Sequence, residues 1–180
     1  LLTRYLLDHA KNERERAYFL NHFLEQFRAT LYRQTMFAEF ELKVAELTAQ
    51  GAGITADALC DIYKELNAQY FGDGIALDEN IALEWARIPH FYYRFYVYQY
   101  ATGFAAAIAL SQRILALGEQ GREDYLGFLK GGSSKPPIDL LRGAGVDMLS
   151  PEPVEDALKL FDEMVDEMAE ACRKLKAEKH

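Results

Sequence analysis

Arg87-Ile88-Pro89-His90-Phe91-Tyr92-Tyr93-Arg94-Phe95-Tyr96-Val97-Tyr98-Gln99-Tyr100-Ala101-Thr102-Gly103 is the stretch whose conformation decides the fold. Read alone it points both ways. Tyr96, Tyr98 and Tyr100 alternate as a strand would, yet Ala101 to Leu117 just downstream is rich in Ala and Leu at helical spacing. The helix propensity of that run favours one long helix from about Tyr92 to Leu117, with Gly118 just past its end. No convincing strand and no internal repeat occur elsewhere, so the expected fold class is all-α, a single helical region over residues 1–180.

On the N-terminal side, Leu1 to Gln50 contains neither Gly nor Pro. Leu2, Leu6 and Leu7, then Phe19, Phe23, Phe27, Leu31 and Tyr32, mark one helical face. Two helices are expected, broken near Asn12, with Glu13 to Arg16 as a solvated turn and an end at Gly51-Ala52-Gly53. Thr55 caps a further helix that ends at Gly72, and a short helix from about Asp78 to Trp85 must stop before Pro89. On the C-terminal side, short helices are expected over 123–129 and 137–142. The run from Lys130 to Pro137 reads as a connector, because a phosphate cradle needs a Gly-x-x-x-x-Gly-Lys-Ser/Thr spacing after a strand. Ser150 and Pro151 start the last helix, whose seam is Val154, Leu158, Phe161, Val165, Met168, Cys172 and Leu175.

Composition excludes several classes of function. With 180 residues, half of them hydrophobic, the chain has material for a core, and a net charge of -8 argues against nucleic acid as a partner. No apolar run approaches the roughly 20 residues of a membrane span, so no membrane partner is expected. Cys60 and Cys172 lack Cys-x-x-Cys spacing and are expected to be reduced, buried thiols of a cytoplasmic protein. The chain opens on Leu1-Leu2-Thr3-Arg4-Tyr5-Leu6-Leu7, already in helical rhythm without an initiating Met, and is expected to be the C-terminal part of a longer catalytic domain.

Familiar catalytic motifs are missing. None of His9, His22, His90 and His180 begins a His-Glu-x-x-His, none closes a Glu-x-x-His, and no Gly-x-Ser-x-Gly elbow occurs. His22 and Glu25 share a helix face and are expected to form a surface pair. The aromatic stretch is different: one histidine, five tyrosines and two arginines lie within a few turns, with Tyr93, Tyr96 and Tyr100 on one expected stripe. A phenol stays protonated near neutral pH, its reference pKa being about 10, and so donates to a developing oxyanion without bringing charge. The structural alternative is a buried aromatic wall whose hydroxyls are satisfied internally.

These residues also carry a resemblance. Trp85-Ala86-Arg87-Ile88-Pro89-His90-Phe91-Tyr92, continued by Phe95 to Gly103, resembles the oligoendopeptidase F family of the thimet-oligopeptidase superfamily, as do Tyr125-Leu126, Phe128-Leu129-Lys130, Gly132-Ser133-Ser134 and Ala144 to Met148. The resemblance implies an all-helical zinc metalloendopeptidase that hydrolyses short peptides in a deep channel. Its zinc would be held by a His-Glu-x-x-His helix and a further glutamate lying just before residue 1, so no metal ligand is expected in this chain and the fragment alone is expected to be inactive. By the same resemblance, His90 and tyrosines after it bind the peptide backbone and donate to the tetrahedral intermediate. Tyr96 and Tyr100, which match a Phe-Tyr-x-x-x-Tyr pattern, would act with His90 in catalysis; His90, Tyr93 and Tyr98 would bind substrate. Pro89 and Gly103 would set backbone geometry, and Arg87 or Arg94 would meet a substrate carboxylate or form a surface salt bridge. The partners implied are short peptides and the N-terminal remainder of the protein. The rival class is a non-catalytic helical interaction module with an aromatic groove. Oligomeric state and peptide preference are not legible in the residues.

Overall fold

A computed structural model describes residues 1–177; His180 lies outside them. Among the described residues there are helices and connecting segments and no strand. The α-helices are α1 (Leu2–Asp8), α2 (Glu13–Gln26), α3 (Arg33–Ala49), α4 (Ala56–Phe71), α5 (Tyr98–Leu117), α6 (Glu119–Gly131), α7 (Pro137–Gly143) and α8 (Glu152–Ala177). Three tighter or wider pieces complete the set: a π-helix over Phe27–Tyr32 and 3₁₀ helices over Glu79–Arg87 and Pro89–Tyr93. The chain divides into two compact units, Leu1–Arg28 with the residues from Thr102 onward, and Ala29–Ala101.

In the first unit, α2 packs along α8. Leu7, Ala17 and Leu20 meet Met164 and Ala171, with Phe23, Leu160, Met168 and Leu175 around them. Burying a side chain such as Leu20 stabilises the fold by about 1.5–3 kcal/mol. The break near Asn12 is where the spacing places it, because the Asn12 carboxamide accepts the Glu15 N–H at 2.9 Å and caps α2. Glu13 to Arg16, expected as a solvated turn, are instead the first turn of α2. Arg16 pairs with Glu167 and Glu13 with Lys174 (3.5 Å), so this charged run ties α2 to α8. A second apolar cluster joins Leu110 of α5 to Ala144 and Val146, flanked by Tyr125 and Phe128.

The π-helix was not foreseen. Phe19, Phe23, Phe27 and Leu31 recur every four residues, slower than the 3.6 of an α-helix, and the wider winding of 27–32 keeps Phe27 and Leu31 buried. Gly51 (φ +78°) then closes α3 in the left-handed conformation that favours glycine.

In the second unit, α3 and α4 face each other, and the Glu79–Arg87 helix lies against α4. Met36, Phe37 and Phe40 of α3, Tyr63 and Leu66 of α4, Ile88 and Val97 form its core. Thr55 caps α4 by accepting the Ala58 N–H at 3.2 Å. A carboxylate sits in this interior: Glu84 accepts from the Tyr63 hydroxyl at 2.7 Å and from Arg33 at 2.6 Å.

Three expectations change here. The single helix from Tyr92 to Leu117 is in fact a 3₁₀ turn, a kink at Arg94 and Phe95, and a helix that starts only at Tyr98. That α5, 20 residues long, is also long and apolar enough to cross a membrane by length and composition. A helix that feeds residues into a core passes the same test, and Ala105, Ile108 and Leu110 of α5 are buried. Cys60 and Cys172 are free and half-buried rather than fully buried.

Candidate active site

The residue before a proline is pushed toward extended backbone, and Ile88 (φ −91°, ψ 104°) is so held. Pro89 opens a 3₁₀ turn that sends Phe91 inward against Phe37 and Phe40, at centroid distances of 5.2 and 5.0 Å. The chain then turns left-handed at two consecutive non-glycine residues, Arg94 (φ 52°) and Phe95 (φ 50°). Such conformations cost about 1–3 kcal/mol each and persist where surrounding contacts hold them. Those contacts are here the buried Val97 on one side and, on the other, the carboxylate of Glu41, whose Oε1 accepts the Phe95 N–H at 2.8 Å.

The kink brings together side chains that a continuous helix would have set on one stripe. His90 and Tyr96 stack at 5.6 Å with 20° between their planes. Tyr100 meets His90 edge-on at 5.8 Å, Tyr93 meets it at 6.4 Å, and Tyr96 touches both Tyr93 and Tyr100. Tyr100 Oη lies 3.2 Å from His90 Nε2, the hydroxyl donating when the imidazole carries its proton on Nδ1. The cluster is open: Tyr96 is 40% and Tyr100 39% exposed, and Tyr93 more so. Tyr98, the first residue of α5, is half exposed.

A hydrogen bond with Tyr96, then partial burial, holds the Tyr100 phenol above its ordinary pKa, so it is a neutral donor at physiological pH. Behind the cluster, burial pushes the Glu41 carboxyl up, against the opposing pull of the Phe95 and Val97 N–H groups and of His90. Glu41 Oε1 is engaged, while its Oε2 is buried without a partner. On the far side of the kink, Arg94, Phe95 and Tyr92 line a cavity of about 520 Å³ with Phe40, Val44 and Trp85. Of the two arginines, Arg87 forms a salt bridge with Glu84, and Arg94 makes no ion pair among the described residues.

Zinc, which the resemblance implies, finds no seat among the described residues. Among the described residues no group of three His, Cys, Asp or Glu side chains could hold a metal ion. His9 is stacked on Tyr5 and bonded to its carbonyl, His22 is paired with Gln26, and His90 is flanked by phenols. The expected His22–Glu25 surface pair is not formed, because Glu25 is taken by Arg28 at 2.7 Å. Glu41 is the residue the sequence reading passed over. Its signal was present: Phe37, Phe40, Glu41 and Val44 fall at i, i+3, i+4 and i+7, so a carboxylate stands on an apolar stripe.

Comparison with known proteins adds a second line of observation. Residues 1–160 match the family described as Peptidase family M3. The chain is 54% identical to oligopeptidase PepF of Bacillus subtilis (strain 168) across 98% of its own length and 26% of that protein's. It is 44% identical to the chromosomal oligoendopeptidase F of Lactococcus lactis subsp. cremoris, over 97% of this chain and 29% of that one. The crystal structure of oligoendopeptidase-F from Enterococcus faecium superposes with a TM-score of 0.92 at 44% identity, covering 96% of this chain and 33% of that one. The chain therefore spans about a quarter to a third of the length of these relatives.

Proposed function

Because this chain belongs to peptidase family M3, we propose that it is the part of a zinc oligoendopeptidase that holds short peptides and stabilises the charge developing on the carbonyl under attack. The family is one of zinc metallopeptidases, in which the metal supplies water activation and carbonyl polarisation. Its ligands belong, in this reading, to the remainder of the protein upstream of Leu1. Among the described residues no side-chain group fits the metal.

The observation that carries the reading is the open contact between Tyr100 Oη and His90 Nε2 at 3.2 Å, with Tyr96 stacked on the same imidazole. A neutral phenol is a donor that needs no ionisation and brings no counter-charge, its single proton turning from His90 Nε2 to the carbonyl oxygen when a peptide arrives. Tyr100 and Tyr96 are assigned to the oxyanion, because a donor aimed where charge develops gains strength as the transition state forms. His90 orients both phenols and, with Tyr93 and Tyr98, donates to backbone carbonyls of the bound peptide. Arg87 is assigned to its salt bridge with Glu84 rather than to substrate. The reading includes a cytoplasmic location, for which the two unpaired thiols speak.

The test is Tyr100→Phe in the intact enzyme. Removing one oxyanion donor costs roughly 10²–10³ in kcat, and zinc content should not change. Turnover equal to wild type would remove Tyr100 from the reaction and leave the aromatic surface as a binding module.

A further inference from the structure

The Arg94–Phe95 kink has no glycine to make it easy, and the downstream sequence would extend as a helix without it. Something must over-determine this step. Packing of Phe91 and Val97 fixes its two ends, but neither addresses the polar groups in between. In such a break the Phe95 N–H has no helical carbonyl to donate to, and one side chain reaches it: Glu41, which crosses from α3.

Glu41 is an expensive filler. It is 9% exposed, it occupies an inward position between Phe40 and Val44, and its Oε2 has no hydrogen-bond partner. Leaving such an atom unpaired costs about 1–3 kcal/mol, and a methionine would fill the same space at no such cost. What a carboxylate adds is the acceptor for the Phe95 N–H at 2.8 Å, with the Val97 N–H close enough to be felt by the same group. Tyr96 lies between those two residues.

We propose that Glu41 is a positioning residue: by holding the Phe95 N–H it fixes the left-handed Arg94–Phe95 step that lays Tyr96 on His90. This rests on the reading of the site given above. Glu41 touches no substrate; it acts through the backbone of 94–97.

Two substitutions in the intact enzyme separate this role from an electrostatic one. Glu41→Gln keeps an acceptor oxygen in place and removes the charge next to His90; Glu41→Asp keeps the charge and withdraws the oxygen by one methylene. Positioning requires Glu41→Asp to lose about 10- to 100-fold in kcat with KM within about threefold, as displaced catalytic groups do. It requires Glu41→Gln to stay within about threefold of wild type. Hydrogen exchange over residues 93–98 should accelerate in Glu41→Asp and stay protected in Glu41→Gln and wild type.

The reverse kinetic pattern, loss in Glu41→Gln with Glu41→Asp active, overturns the proposal in favour of charge on His90. Unchanged exchange in Glu41→Asp overturns it whatever the kinetics. Should Glu41→Asp not fold, an unprotected Phe95 amide in the wild-type enzyme overturns it equally, and a protected one with Glu41→Gln active supports it. Wild-type turnover in Tyr100→Phe would sink the site reading alone, since the exchange result reports on the Glu41 contact without reference to turnover.

Discussion

The Tyr63 hydroxyl donates to Glu84 Oε2 at 2.7 Å in the interior of the second unit, where Tyr63 is fully buried. Glu84 also receives Arg33 at 2.6 Å, so both of its oxygens are engaged. Tyr63→Phe withdraws one donor and leaves a buried carboxylate oxygen unpaired. The expected loss is about 1–3 kcal/mol of unfolding free energy, read from denaturant unfolding of the intact protein with an unchanged m-value.

Glu84 also gives stability a pH dependence. Burial acts to raise its pKa, but the hydrogen bonds from Tyr63 and Arg33, with the charges of Arg33 and Arg87, outweigh it and hold the group below the ordinary carboxylate value. A folded pKa below the unfolded one means the contribution is present above the ordinary value and is lost as pH falls through the depressed one. Glu84→Gln should therefore flatten the acid limb of a melting-temperature profile below about pH 4.5. Glu41, raised instead, contributes in the opposite sense: its share is present at low pH and is lost as pH rises through its elevated folded value.

Two glycines of α6 should respond oppositely to alanine. A Cβ at Gly121 would lie 2.5 Å from the Arg113 carbonyl oxygen and 2.9 Å from the Ile114 Cα, backbone atoms that cannot swing aside. Gly121→Ala is expected to destabilise by about 1–3 kcal/mol through overpacking. At Gly127 nothing lies within 4 Å, and Gly127→Ala should gain about 0.5–1 kcal/mol from helix propensity. Melting temperatures of the two variants, measured side by side, check both signs.

The contact between Tyr96 and Tyr100, centroids 5.6 Å apart, predicts that they act as a unit. Tyr96→Phe and Tyr100→Phe should each lower kcat, and the double variant should lose less than the product of the single losses. Strictly multiplicative effects in a double-mutant cycle would mean that the phenols work independently.

The helices were legible wherever one signal dominated. Asn12 and Thr55 begin helices and Gly51 ends one, because capping and left-handed backbone are local chemistry; Ser150 accepts the Glu152 N–H at 3.2 Å, but α8 starts at Glu152, one residue later than Pro151. The residues of the aromatic cluster were legible by type and spacing. Their arrangement was not, because it depends on a kink that only a distant contact explains: Glu41 and Phe95 are 54 positions apart. No local rule places Arg94 and Phe95 in the left-handed region, and none turns Phe27–Tyr32 into a π-helix. In each case tertiary packing overrode the α-helix that the residues favour by themselves.

Trp85 is the chain's single tryptophan, half-buried where its indole N–H reaches Cys60 Sγ at 3.5 Å and its ring borders the cavity beneath Arg94 and Phe95. Tryptophan emission from this polypeptide, excited where its tyrosines do not absorb, thus has one postal address. A shift in its colour or brightness would report events at that wall of the kink, making the molecule its own dye for following what settles there or what happens to the adjoining sulfur.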